Sequence, residues 1–137
     1  MYKRLCLLTE RQKLMYFQKY FSAIQKHHNY NNMEIKENFI HHVYFWMHHP
    51  DNREEQNALL TGLQKLCTVP VIQAFHIGSA ATTNRDVIEK SYSFSWLAVF
   101  NSLEDEEIYQ THPIHLEFIK DCSHLWNKVI VYDSIKA

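Results

Sequence analysis

Histidine is the residue type in this sequence with the widest chemical use. The chain has ten histidines in 137 residues, and an imidazole can transfer a proton near neutral pH or bind a metal ion. His112 and His115 are three residues apart and could share one face of a helix. No carboxylate or thiolate stands at a spacing that would complete a metal site with them. We therefore expect no bound metal.

Another histidine, His42, lies in a segment that alternates as a β-strand does. Residues 39–47 are rich in aromatic and β-branched side chains. With a period of two, one face carries Phe39, His41, Val43, Phe45 and Met47, and the other carries Ile40, His42, Tyr44 and Trp46. The second set forms an aromatic wall that suits a flat ligand. His42 could equally be an interface histidine paired with a backbone group, and both interpretations stay open.

The elements that must position these side chains include three helices, each with a start signal. Asp51 with Glu54 has the pattern of a capping box, and Ser102 with Asp105 marks a second, short helix. Pro113 suits the first turn of a third helix. Apolar residues at helical spacing complete the pattern: Leu59, Leu60, Leu63, Leu66 and Cys67 in the first helix, and Ile114, Phe118, Ile119 and Cys122 in the third. Such stripes need a sheet to pack on.

Three further strands are predicted over residues 71–77, 92–100 and 129–133. The resulting order, β-α-β-β-α-α-β, is that of an α+β ferredoxin-like subunit with an antiparallel sheet. Strands one and three are apolar on both faces, whereas the helices of this topology pack on one side only. A second copy of the same sheet is the simplest cover for the other side. The alternative cover is an N-terminal helix folded across its own sheet.

The first 32 residues differ in character from the rest. Their apolar residues fall at roughly helical spacing, which predicts an amphipathic extension ahead of a complete domain over residues 33–137. Polar residues 10–13 interrupt any run that a signal peptide would need. Two interpretations stay open: a loosely docked upstream segment, with Met33 as an alternative start of the protein, or a partner-binding arm.

Composition excludes several classes of function. The net charge is −1 and no element gathers lysine and arginine, so we expect no nucleic-acid partner. No segment approaches the roughly 20 apolar residues that span a bilayer, so no membrane partner is expected. The three widely spaced cysteines fit a reducing, cytoplasmic setting. With two glycines only, a phosphate-binding loop is absent. Since no haem-ligand pattern stands out either, we expect no cofactor.

Several segments of the predicted domain carry a recognisable pattern in a fixed order. They are residues 41–46, 76–78, 91–95, the run Tyr109-Gln-Thr-His-Pro-Ile-His115, 125–126 and 131–133. Together they resemble the stress-responsive A/B barrel (Dabb) family over about residues 39–135. The resemblance implies a homodimer of ferredoxin-like subunits, a dimeric α+β barrel, with a small-molecule pocket between sheet and helices.

The resemblance also suggests site residues. A plant polyketide cyclase of this family performs an intramolecular aldol condensation with a Tyr and a His, and the matching positions are Tyr109 and His115. His115 would then take a proton while the Tyr109 phenol donates to the oxyanion. We expect further ligand contacts from the first and third strands and the helix start, namely His42, Tyr44, Trp46, Phe94 and His112. Phe94 stands where that cyclase has another pocket histidine.

Two hypotheses about function follow. The first is a homodimer that binds a small apolar or aromatic carbonyl compound and has cyclase-like or lyase-like activity. The second is a non-catalytic, stress-associated binding or assembly module, in which His112 caps a helix and His115 bonds a neighbouring carbonyl. Convergence of Tyr109 and His115 on an open cavity would favour the first hypothesis, and packing of these two side chains onto backbone would count against it.

Overall fold

The computed structural model describes residues 38–137, together with Thr9, Arg11, Met15 and Ile35. Its backbone contacts group residues 1–34 and 35–137 into separate units. The sheet and the helices that pack on it belong to the second unit. The helix predicted within residues 1–32 and the boundary predicted at residue 33 lie outside the described residues. None of the described helices is long and apolar enough to cross a bilayer.

The described elements follow one another in the predicted order, β-α-β-β-α-α-β. The strands are β1 (Phe39–Met47), β2 (Ala74–Gly78), β3 (Phe94–Phe100) and β4 (Trp126–Ile135). The helices are α1 (Arg53–Leu66), α2 (Leu103–Thr111) and α3 (Pro113–Cys122), and a 3₁₀ turn, Ser123–Leu125, leads into β4. The predicted α+β, ferredoxin-like arrangement is confirmed.

The four strands form one antiparallel sheet in the order β2-β3-β1-β4. β1 is therefore a central strand, and β4 is an edge strand. In this register His41 lies opposite Ala98 of β3 and Asp133 of β4. Residues directly opposite share a face of the sheet, so the register brings a carboxylate beside a histidine.

The two faces of β1 differ as the alternation predicts. Its odd-numbered residues are buried and its even-numbered residues are half-buried. The buried face meets the helices in a core that includes Phe39, Val43, Phe45, Met47, Leu59, Leu63, Leu66, Trp96, Phe100, Tyr109 and Phe118. Fully burying one such side chain contributes about 1.5–3 kcal/mol. The described helices thus cover one face of the sheet only.

The helix starts confirm two of the three predicted signals. Ser102 Oγ accepts from the Asp105 N–H at 3.2 Å, and Pro113 is the first residue of α3. The prediction of Asp51 as the cap of α1 is wrong. Asn52 takes that position, because the turn after Pro50 extends through Asp51 and the side-chain oxygen of Asn52 accepts from the N–H groups at 54 and 55.

The strand ends shift by a few residues from their predicted positions. β2 begins at Ala74 because the chain first turns over residues 69–72, where the Ile72 N–H donates to Val69 O. β3 begins at Phe94, two residues later than predicted. β4 is longer than predicted at both ends, because it pairs with the whole of β1. These shifts leave the predicted topology unchanged.

Candidate functional site

A buried cluster of polar side chains lies where β1 meets α2. His41 is 5% exposed, and its Nδ1 is 2.7 Å from Asp133 Oδ1. An ionised carboxylate can only accept, so Nδ1 of His41 carries the donated hydrogen. A second carboxylate, Glu106 of α2, is 8% exposed and lies 4.0 Å from the same nitrogen. A histidine that sequence reasoning had assigned to no site is therefore held between two acidic groups.

Tyr109 and His115 are brought together by a bend between α2 and α3. Their ring centroids are 4.6 Å apart, although six residues separate them in sequence. His112 ends α2 and begins α3 with an extended backbone, ψ 138°, as favoured for a residue that precedes a proline. The Tyr109 ring also meets His41 edge-on, with centroids 5.8 Å apart. The bend thus joins the predicted pair, and the packing of α2 against β1 adds His41 to it.

His115 has one ring nitrogen committed to the backbone. Its Nδ1 lies 3.0 Å from Gln110 O. A carbonyl oxygen can only accept, so Nδ1 donates and the neutral ring keeps a lone pair on Nε2. Burial lowers the pKa of His115, although the Gln110 carbonyl opposes this shift. His115 is therefore uncharged near neutral pH and has the protonation state of a general base.

Tyr109 keeps its proton, whereas His115 has an unprotonated ring nitrogen. It is 1% exposed, and burial raises the pKa of its hydroxyl well above the ordinary value. The Trp96 indole opposes this shift, whereas the charge of Glu106 adds to it. The phenol therefore stays protonated and can act as a hydrogen-bond donor.

These side chains line a cavity of about 190 Å³ between the sheet and the helices. Its polar lining consists of His41, Tyr109, Gln110 and His115, and its apolar lining of Val43, Phe45, Leu66, Trp96, Phe118, Ile119, Trp126, Val129 and Val131. Three of the apolar residues, Ile119, Val129 and Val131, are 41–46% exposed, so the mouth opens between α3 and the edge strand β4. A few polar groups at one end of an apolar cleft are typical of a small-molecule site.

Three of the predicted ligand contacts lie on the other face of the sheet. Tyr44 and Trp46 line a separate cavity of about 270 Å³, together with Glu89, Tyr92 and Tyr132. His42 shares this face: its Nδ1 is 3.3 Å from Tyr44 Oη, and burial lowers its pKa. The structure therefore does not bring His42, Tyr44 or Trp46 together with Tyr109 and His115.

The remaining two predicted contacts, Phe94 and His112, lie near the first cavity without lining it. Phe94 pairs with Phe45 across the sheet and packs on the core. Nδ1 of His112 accepts from the Ile114 N–H at 3.2 Å and so caps α3. The structure thus shows both features of the non-catalytic alternative: His112 caps α3, and His115 bonds a neighbouring carbonyl, that of Gln110.

Sequence reasoning missed His41, Asp133, Glu106 and Trp96 as members of the site. The alternation of β1 was a usable signal for His41, since it placed this residue on the face opposite His42. Asp133 could be paired with His41 only through the register of β4. Glu106 lies in the acidic first turn of α2. Acidic residues at a helix start are favoured by the helix dipole and are typically solvated, so Glu106 gave no signal of a buried site. Within residues 38–137, no group of three His, Cys, Asp or Glu side chains is placed to hold a metal ion.

The fold and the cavity together define a ferredoxin-like α+β domain with a ligand-sized cleft between sheet and helices. The family model of the stress responsive A/B barrel domain (Dabb) matches residues 40–136. The chain belongs to this family. A search of curated proteins finds no match.

Several solved structures have the same fold at low sequence identity. A Dabb family protein from Mesorhizobium loti is 20% identical with a TM-score of 0.61, over 73% of this chain and 97% of that one. A dimeric ferredoxin-like protein of unknown function from Thermobifida fusca is 17% identical with a TM-score of 0.61, over 80% and 100%. The hydroxynitrile lyase of Passiflora edulis is 17% identical with a TM-score of 0.61, over 74% and 94%.

Proposed function

We propose that this protein is a homodimer that binds a small, apolar or aromatic carbonyl compound in the cavity between sheet and helices and moves a proton beside its carbonyl group. One observation carries the proposal: Tyr109 and His115 meet, with ring centroids 4.6 Å apart, on the lining of one cavity. One is a protonated donor and the other an uncharged acceptor. This is the pair that acid–base chemistry at a carbonyl requires.

The proposed reaction starts with His115. Its Nε2 takes a proton from the carbon next to the carbonyl. The electron pair of that C–H bond forms the C=C bond of an enolate, and the π pair of the carbonyl moves to its oxygen. The Tyr109 hydroxyl donates a hydrogen bond to this oxyanion. The enolate carbon then either takes the proton back or attacks a second carbonyl of the same ligand, as in cyclisation. In the second case a C–C bond forms, the π pair of the attacked carbonyl moves to its oxygen, and that oxygen takes the proton from the His115 imidazolium.

The surroundings of His115 suit both stages of this cycle. Burial favours the neutral base before the proton is taken. Afterwards, the Gln110 carbonyl and the charge of Glu106 both favour the imidazolium, since each acts to raise the pKa of His115. The apolar walls keep water away from the reacting carbon.

Assembly as a homodimer is supported by the sheet face that the described helices leave uncovered. That face carries apolar and aromatic residues that are half-buried or exposed in the single chain: Ile40, Tyr44, Trp46, Leu97, Ile130 and Tyr132. A second copy related by a two-fold axis would cover this face with the same face of its own sheet. The similar protein from Thermobifida fusca is dimeric, and the one from Passiflora edulis is an enzyme. Proteins of this fold therefore include both dimers and enzymes.

Proton exchange at a test ketone can examine this proposal without knowledge of the natural substrate. Acetylacetone is incubated with the full chain in D₂O, and loss of its central CH₂ proton signal is followed by NMR. His115→Gln and Tyr109→Phe should each lower the protein-dependent exchange rate, the first by about 100-fold. His124→Gln is the matched control, because His124 is exposed in the turn before β4. Equal rates for wild type and His115→Gln would instead favour a non-catalytic binding module.

A further inference from the structure

The second cavity, of about 270 Å³, lies on the sheet face that the described helices leave uncovered. Four aromatic rings and one carboxylate line it: Tyr44, Trp46, Glu89, Tyr92 and Tyr132. β1 and β4 supply three of the rings, and the segment between β2 and β3 supplies Tyr92 and Glu89. The proposed proton transfer uses none of these residues, so this cavity has no part in the function described so far.

Neighbouring rings of this cavity are nearly perpendicular to one another. The planes of Tyr44 and Tyr92 meet at 74°, those of Tyr44 and Tyr132 at 79°, and those of Trp46 and Tyr92 at 78°. Their centroids are 4.8–6.3 Å apart. The face of an aromatic ring carries the negative part of its quadrupole. Rings placed at right angles around a small space form an aromatic cage, the arrangement that recognises quaternary ammonium groups.

Hydrogen bonds hold two of the rings and the carboxylate in place. Trp46 Nε1 donates to Ser91 Oγ at 2.8 Å, and the Ser91 N–H donates to Glu89 Oε1 at 2.6 Å. Tyr44 Oη lies 3.3 Å from Nδ1 of His42. Ser91 therefore links the segment before β3 to the indole of β1. A cavity whose walls are fixed in this way loses little side-chain freedom when a ligand enters.

Two charged side chains indicate the sign of the ligand. Glu89 is the only charged residue among the described residues that line the cavity, and the hydrogen bonds from Ser91 lower its pKa. It is therefore ionised at neutral pH. Lys128 of β4 lies opposite Trp46, and its Nζ is 4.1 Å from the centroid of the Trp46 ring. One wall of the cage thus already contacts a cation, and the lining is complementary to positive charge.

We propose that this cavity is an aromatic cage that binds a small quaternary ammonium compound. Such a cation has no N–H group that needs an acceptor, and its methyl groups bury apolar surface against the rings. Lys128 competes for the Trp46 ring, but its side chain is exposed and a flexible lysine can move away. This site is separate from Tyr109 and His115, so it does not depend on the proposed proton transfer.

The homodimer proposed above limits the size of the ligand. All five residues that line the cavity belong to one chain, so the cage is complete without a second copy. A second copy packed on the same face would leave space for a small compound but not for a side chain that another protein presents. We therefore assign a free small cation to the cage, and not the methylated lysine of a peptide.

A pair of probes of the same shape isolates the charge. Choline has a trimethylammonium group where its neutral analogue, neohexanol, has a tert-butyl group. The full chain is titrated with each probe by calorimetry, and the N-methyl proton signal of choline is followed by NMR. This signal should move upfield, because aromatic rings shield protons that lie over their faces. Neohexanol should bind at least about tenfold more weakly than choline.

Three variants test the parts of the cage. Tyr92→Leu removes one wall and should weaken choline binding by about tenfold. Glu89→Gln should weaken it by about twofold to fivefold, since this carboxylate is exposed to solvent. Glu107→Gln is the matched control, because Glu107 is exposed on α2, on the helix side of the sheet. Lys128→Met should strengthen choline binding, because it removes a competing cation.

Each outcome bears on a named claim. If neohexanol binds as tightly as choline, or if Lys128→Met weakens choline binding, the cation site is wrong. If a short trimethyl-lysine peptide binds more tightly than choline, the assignment to a free small compound is wrong. If wild type is a dimer that binds neither probe, the second copy fills the cavity and the proposal is wrong, while the homodimer stands. His115→Gln should leave choline binding unchanged, so failure of the proposed proton transfer is distinguished from failure of the cage.

Discussion

At the scale of single residues, the two histidines of the cavity have the same arrangement of hydrogen bonds. His41 donates from Nδ1 to Asp133, and His115 donates from Nδ1 to the Gln110 carbonyl. An acceptor on Nδ1 fixes the tautomer, so the lone pair of the neutral His115 ring is on Nε2. Only His115 faces the Tyr109 ring at 4.6 Å. We therefore assign proton transfer to His115 and regard Asp133 as the residue that orients His41.

The titration of His115 provides a direct test of its environment. Because burial lowers its pKa, we expect the NMR titration midpoint of its imidazole to fall below about 6.5, the ordinary value. Acetylacetone exchange should then persist below pH 6.5 and be lost as the pH falls through that midpoint, since only the neutral ring is a base. His115→Gln assigns the signal. A midpoint at or above 6.5 would contradict the buried, neutral state.

The same shift has a consequence for stability. The unfolded chain binds a proton at His115 more readily than the folded chain does. The contribution of His115 to the free energy of unfolding is therefore largest above the unfolded pKa of about 6.5, and it decreases as the pH falls below that value. The pH profile of exchange must accordingly be compared with a circular-dichroism control that shows the fold to be intact.

At the scale of secondary-structure elements, the wall of the cavity depends on how closely α1 and α3 pack. Gly62 of α1 faces Phe118 and Cys122 of α3. A methyl group at residue 62 would lie 2.7 Å from Cys122 Sγ and 2.9 Å from Phe118 Cδ2, closer than unstrained contacts allow. Phe118 also lines the cavity. The absence of a side chain at position 62 thus sets the spacing of two helices and the position of one wall.

Gly62→Ala tests this packing. Alanine favours a helix by about 1 kcal/mol over glycine, but forcing Cys122 and Phe118 aside should cost about 1–3 kcal/mol. We expect a net loss of up to about 2 kcal/mol in the free energy of unfolding, measured with urea. The loss should shrink when the substitution is made in a Cys122→Ala background. A Gly62→Ala protein more stable than wild type would show that the helices do not pack this closely.

Element order and most helix signals could be predicted from the sequence, because periodicity and capping are local properties. The set of residues that form the site was harder to predict. His41 and His42 are adjacent in the chain, and an alignment that is one residue off exchanges the two faces of a strand. Asp133 and Glu106 enter the site only through strand register and helix docking, which bring together residues distant in sequence. Phe94 packs on the core without lining the cavity, which depends on three-dimensional packing.

At the scale of the whole molecule, the sheet has one covered face and one face for which we propose a second copy as the cover. The described helices pack on the face of Phe39 and Val43. Tyr132, on the opposite face, is 61% exposed, and it belongs to the edge strand. An aromatic surface of this kind is typical of an interface between proteins.

Sedimentation velocity at micromolar concentration tests this assembly. We expect a dimer for wild type and a monomer for Tyr132→Glu, because a buried, unpaired charge at the interface is strongly unfavourable. Leu116→Glu is the matched control: Leu116 is 56% exposed on α3, on the helix side of the sheet, and this variant should remain dimeric. A wild-type monomer would rule out the proposed two-fold assembly. It would instead favour the alternative that residues 1–32 cover the sheet.

The alternation of β1 limits how this domain can diverge. Neighbouring positions of one central strand supply the buried cluster on one side and the aromatic surface on the other. Inserting or deleting a single residue ahead of His41 would move each following side chain of β1 to the opposite face of the sheet. Both the buried cluster and the aromatic surface would then be lost together. Related domains are therefore expected to vary here by replacement of side chains and to vary in length only in their loops.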